Sequence, residues 1–79
     1  MKSNVEALVR HIAQSLVSDP EQVTIHVNEN DKTVVLELKV APDDMGRVIG
    51  KQGRIAKAIR TVVKSATINE RKKYTVEIV

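Results

Sequence analysis

Gly50-Lys51-Gln52-Gly53, preceded by Val48-Ile49 and followed by Arg54-Ile55, carries the most informative chemistry in the chain. Glycine has no Cβ, so at both ends of the tetrad the backbone is free to turn sharply and to let another backbone come close. The helical pattern that begins just after Gly53 opens with amides that have no partner inside the helix, and with the positive end of its dipole. A tight loop ending on a helix N-terminus is a place to hold phosphate. Lys51 and Arg54 add mobile positive charge at the same spot. The segment reads as a clamp for a nucleic-acid backbone.

Other phosphate-binding arrangements fail on spacing. A Walker loop has four residues between its glycines, followed by Lys-Ser/Thr. Here three residues separate Gly46 from Gly50, and Gln52 stands where the magnesium-binding hydroxyl would be. A dinucleotide fingerprint needs Gly-x-Gly-x-x-Gly after a strand, and neither spacing nor context matches. Gly46 and Gly50 also have the spacing of membrane helix pairs, which the surrounding charges exclude.

The elements that must position the tetrad follow from periodicity. Val5, Leu8, Val9, Ile12 and Leu16 recur at helical spacing behind a Ser3-x-x-Glu6 capping box. Ser18-Asp19-Pro20 ends that helix, because the residue before proline is pushed out of helical backbone angles. Two strands follow. Val23, Ile25 and Val27 alternate with polar residues, and Val34, Leu36, Leu38 and Val40 alternate with Val35, Glu37 and Lys39. The polar run 28–32 between them has the residues of a hairpin loop.

Pro42 opens a short second helix, with Asp43 and Asp44 complementing its positive dipole end; it ends near Ile49. A third helix runs from about Arg54 to Ala66. Ile55, Ala56, Ile59, Val62, Val63 and Ala66 lie on one face, and Lys57, Arg60 and Lys64 on the other. After the basic loop Arg71-Lys72-Lys73 comes a last strand with Tyr74, Val76 and Ile78 facing inward. The order α-β-β-α-α-β predicts a two-layer α+β domain, with three helices on one face of a three-stranded mixed sheet. The hairpin makes the first two strands antiparallel, and the crossover through two helices makes the last strand parallel to the second.

Composition bounds the function. At 79 residues the chain is expected to form one domain, 1–79, with a single thin core, and it contains no cysteine for a disulfide or thiolate zinc site. The net charge is only +3, but the acids cluster before Gly46, while Arg47, Lys51, Arg54, Lys57, Arg60, Lys64 and Arg71-Lys72-Lys73 follow it. Such asymmetry suits a polyanion site on one face. There is no Phe or Trp and one Tyr, so a base-stacking aromatic platform of the RRM or OB kind is not available. His11 and His26 have no ligand-spaced partners, and no nucleophile, base and orienter fall together. Neither a metal or cofactor site nor an enzyme is expected. The N-terminus runs straight into an amphipathic pattern, which argues against a signal peptide, and the expected location is the cytoplasm.

An Ile-Gly-x-x-Gly segment between two helices, after a β-hairpin and before a strand, resembles the loop of the KH (K-homology) fold. The element order resembles the type II arrangement of that fold. Gly46-Arg47-Val48-Ile49-Gly50-Lys51-Gln52-Gly53-Arg54-Ile55, together with the short length, is similar to the small stand-alone bacterial KH proteins of the KhpA (YlqC) family. The resemblance implies a single-stranded RNA-binding protein that clamps about four nucleotides, acting as an RNA chaperone or post-transcriptional regulator. The strand would lie between the two helices and the second strand. Arg47, Gly50, Lys51, Gln52, Gly53, Arg54 and Lys57 would face its backbone, and Val48, Ile49 and Ile55 would floor the groove. Many KH domains carry a large aliphatic residue at the position of Ala56, so a shallower groove wall is expected. Arg71, Lys72 and Lys73 read as peripheral.

The alternative is a dimerisation or adaptor module with incidental RNA affinity. Small residues beside the apolar arc of the third helix, Ala58, Thr61, Val62 and Ser65, form a candidate surface for a homodimer. The resemblance also implies pairing with a larger KH-containing protein of the KhpB/Jag type.

Overall fold

The computed structural model describes residues 2–79, with the side chains of all of these except Lys2, Ser3, Lys51 and Gln52. Helix α1 (Lys2–Leu16) leads through a 3-10 turn at Pro20–Gln22 into strands β1 (Thr24–Glu29) and β2 (Thr33–Lys39). A helical stretch α2 (Pro42–Ala66) and strand β3 (Lys73–Ile78) complete the chain. The strand order is β1-β2-β3. β1 and β2 are antiparallel, with Ile25 opposite Leu38 and Val27 opposite Leu36; β3 runs parallel to β2, with Val76 beside Leu36. Both pairings are those predicted. Asn30 closes the hairpin: its Oδ1 accepts from the amides of Lys32 and Thr33, each at 2.8 Å. A short polar side chain that imitates a backbone turn is what such a loop requires.

One face of the sheet is buried. Val34, Leu36 and Leu38 of β2 meet Val5, Val9 and Ala13 of α1 and Ala56, Ile59 and Val63 of α2 in the core. Two details differ from the periodicity. Ala13 rather than Leu16 completes the inner stripe of α1, and Leu16 is 41% exposed. It is the last residue of the helix, beyond which the chain turns away. In α2 the buried stripe is narrower than the apolar arc: Val62 is 37% exposed and Ala66 is exposed. A helix lying on a flat sheet is covered on one side only, so the outer part of a wide apolar arc stays in solvent. The capping role of Ser3 lies outside the described side chains. Helix α1 already includes Lys2, and Glu6 pairs with Arg10 at 3.0 Å.

The region of the tetrad departs from a simple helix-loop-helix. Pro42 opens α2 as predicted, and the Ala41 carbonyl accepts from the amides of Asp44 and Met45 at 2.9 and 3.0 Å. The helical pattern then continues without interruption to Ala66, although Gly53 sits at φ 71°. A left-handed residue cannot continue a right-handed helix. Gly53 therefore divides α2 into two arms, 42–52 and 54–66, which meet at a corner. These arms are the two consecutive helices of the predicted order, with the expected loop reduced to one reversed residue. Gly50 is not a turning residue, for Gly53 alone among the glycines has a positive φ.

Among the described residues a Cβ at either Gly50 or Gly53 would meet nothing within 4 Å beyond chain neighbours and the local helix backbone, so backbone angle separates their roles. Gly53→Ala should destabilise the fold by about 1–2 kcal/mol, the penalty of a left-handed L-residue. Gly50→Ala should be neutral or stabilising by up to about 1 kcal/mol, because alanine replaces glycine within a helix. Urea unfolding of the two variants measures both; equal losses would contradict a turn confined to Gly53.

Candidate nucleic-acid interface

The first arm of α2 is fixed by a carboxylate. Asp44 lies in its first turn and is 2% exposed. Its Oδ1 accepts from the Ser18 amide at 2.9 Å and its Oδ2 from the Asp19 amide at 3.1 Å. Asp43 is exposed and suits the role of dipole partner predicted for both acids. Asp44 is instead turned back onto the end of α1. The Ser18 amide chiefly holds the Asp44 carboxyl below its ordinary value, helped by the Asp19 amide and the positive charge of Arg47, while burial works in the opposite direction. Arg47, one turn further on, donates from Nη1 to Ser18 Oγ at 2.8 Å.

Beyond this anchor the corner opens into a cleft of about 550 Å³ bordered by Gly46, Arg47, Gly50, Arg54 and Ile55. The structure thus brings together residues from both arms that were picked out by spacing. Arg54 and Lys57 are exposed, and Ile55 is half-buried. Ile49 is 54% exposed, whereas Val48 is 1% exposed and belongs to the core. Successive helical residues point about 100° apart, so Val48 and Ile49 cannot share a groove floor as predicted. Ala56 is also a core residue, so its small size bears on packing rather than on the groove surface. The side chains of Lys51 and Gln52 lie outside the described residues.

The strand beside the second arm is β3, whereas the expected RNA groove lies between the two helices and the second strand. β2 is central, and its inward side chains are fully covered. β3 is an edge strand, and Arg60 Nε donates to its Val76 carbonyl at 3.1 Å. A second cleft of about 700 Å³ follows this junction, bordered by Arg60, Lys64, Arg71, Lys72 and Lys73 over Val63, Ile68 and Tyr74. The basic loop read as peripheral therefore adjoins the basic side of the second arm. Lys72 is held there by Glu29 at 2.6 Å. Ala58, Thr61, Val62 and Ser65 are all exposed, and their spacing puts them on one outward stripe. Among the described residues no group of three or more His, Cys, Asp or Glu side chains is placed to hold a metal. No helix there is long and apolar enough to cross a membrane.

A two-layer α+β domain whose last two helical arms meet at a glycine corner is a KH domain. The chain belongs to the KhpA/KhpB KH-domain family, whose model matches residues 6–78. It is 62% identical over 77 residues to the RNA-binding protein KhpA of Clostridium perfringens, covering 95% of this chain and 100% of that protein. It is 53% identical over 75 residues to the RNA-binding protein KhpA of Clostridium acetobutylicum, with 95% and 100% covered. The family is one of KH-domain proteins and not of enzymes. The same fold recurs in Aquifex aeolicus Era bound to GDP and aluminium fluoride, with a TM-score of 0.64 and 24% identity over 95% of this chain and 30% of that one.

Asp44→Asn would present an amide group where two backbone N–H donors need acceptors. Its melting temperature near neutral pH should fall by about 5–15 °C. The folded-state pKa of Asp44 is depressed, so its contribution is complete above about pH 4 and is lost as pH falls through the folded value. The gap between wild type and variant should therefore shrink on acidification. Thermal melts from about pH 7 down to about pH 2 test this, and a constant gap would contradict it.

Proposed function

We propose that this chain, as one KH domain spanning residues 1–79, binds single-stranded RNA at the corner of α2, gripping about four nucleotides. The observation that carries the reading is Gly50. Its backbone is not left-handed and a Cβ there would meet nothing among the described residues beyond its own helix backbone, so neither angle nor that packing requires glycine. What a side chain would occupy is the open cleft between Arg47 and Arg54, where a sugar-phosphate backbone can approach. The second arm begins at this corner, so its first amides and positive dipole end favour phosphate. Lys51, Gln52, Gly53 and Lys57 add donors and charge, while Ile49 and Ile55 supply apolar contact for bases. The curated relatives named RNA-binding protein KhpA support the choice of RNA.

A single small site of this kind binds weakly, about 10⁻⁴–10⁻⁶ M for largely electrostatic contacts. An RNA chaperone or post-transcriptional regulator in the cytoplasm fits such affinity, with specificity supplied by more than one domain acting together. Replacing Lys51 and Gln52 with Asp, both glycines kept, should preserve the fold and weaken binding to short single strands by about tenfold or more, because two anions would face phosphate. Fluorescence anisotropy reads the loss. Gly50→Ala in the same assay should also bind more weakly while folding normally. Undiminished binding by the double-Asp variant would overturn the clamp.

A second reading concerns assembly. The exposed stripe of Ala58, Thr61, Val62 and Ser65 suits a homodimer, or pairing with a larger KH-containing protein of the KhpB/Jag type. Two sites on one particle would raise apparent affinity through effective concentration. Ala58→Glu should reduce the solution mass measured by light scattering and leave the circular dichroism spectrum unchanged. A wild-type mass equal to one chain would exclude the homodimer.

A further inference from the structure

We infer that Ser18, in the turn after α1, is a positioning residue for RNA binding: it presets the Arg47 guanidinium as a phosphate contact at the mouth of the corner cleft. The inference rests on the single-strand-binding reading above and adds to it a residue far from the tetrad in sequence. Arg47 borders the cleft that contains Gly50 and Arg54. A long exposed arginine ordinarily samples many rotamers, and ordering it on a ligand opposes binding. Here Nη1 already donates to Ser18 Oγ at 2.8 Å. Ser18 is itself held, because its amide donates to Asp44 Oδ1 at 2.9 Å.

The three residues close a ring. Asp44 and Arg47 stand three positions apart on the first arm, and Ser18 bridges them from another element. The hydroxyl that orients Arg47 is thus located by a buried carboxylate of the same helix. Two features suit a ligand-binding role rather than a finished ion pair. Both Asp44 oxygens are engaged by backbone amides, and the Arg47 hydrogen bond goes to a neutral hydroxyl. Among the described residues Ser18 engages one of the five guanidinium N–H donors, which leaves others for a phosphate oxygen. A lysine at position 47 would carry the charge without a planar fork able to bond Ser18 and phosphate together.

The test is a double-mutant cycle on binding to a short single-stranded RNA, followed as a function of salt. Arg47→Gln should weaken binding and flatten the dependence of log affinity on log salt by about 0.7, the loss of one phosphate contact on a single strand. Ser18→Ala keeps the charge, so it should leave the slope unchanged and weaken binding by about 2–5-fold. In the Arg47→Gln background the Ser18→Ala effect should vanish, and Ser18→Thr, which keeps the hydroxyl, should bind like wild type. A residue that merely supports the fold would weaken both backgrounds alike. An undiminished Ser18→Ala effect in the Arg47→Gln background, or an Arg47→Gln variant with wild-type affinity and slope, overturns the inference and leaves the RNA reading standing. Failure of the wild-type protein to bind the strand overturns both.

Discussion

A right-handed helix of 25 residues, the length of α2, would be a rod of about 37 Å. The seven-residue strand β2 beneath it is only about 23 Å long, so an unbroken rod would run off the sheet and leave much of its apolar surface in water. The left-handed Gly53 removes the conflict. By reversing one backbone angle it lets Val48 of the first arm and Ala56, Ile59 and Val63 of the second reach the same core. The core and the corner cleft are thus two results of one backbone event. The bend that lets both arms pack also has a cleft beside it, bordered by Gly46, Gly50 and Arg54.

A corner needs an anchor if its direction is to be fixed. The second arm has one in its packing on the sheet and in the Arg60 bond to β3. The first arm is anchored by Asp44, which joins it to the turn after α1 through two amide hydrogen bonds. A buried carboxylate is tolerated there because both oxygens have donors. The arrangement links α1 and α2 through two backbone amides of the turn that follows α1. The turn at Ser18-Asp19 and the first arm consequently hold each other in place.

The basic residues are distributed along this frame rather than gathered at one point. Arg47 and Arg54 border the corner cleft, while Arg60, Lys64 and the 71–73 loop border the second cleft beside β3. Both clefts are reached from the second arm, whose inner stripe is committed to the core. The net charge of +3 does not show this distribution, in which Glu70 also borders the second cleft and Glu29 pairs with Lys72 there.

Much of this was legible in the order of residues. Period-two runs in β1 and β2 and the helical repeats of α1 and α2 determined the elements and the hairpin, because each depends on neighbours within a few positions. The parallel return of β3 followed from the long helical crossover between β2 and β3. The same local reasoning marked Gly50, Gly53, Arg54 and Ile55. Only the tertiary structure decided that Gly53 alone turns the chain, that Val48 faces inward and that edge strand β3 flanks the second arm. It also decided that Asp44 and Ser18, 26 residues apart, form one device with Arg47. No periodicity encodes such a contact, because its geometry comes from where two elements are packed rather than from the spacing within either.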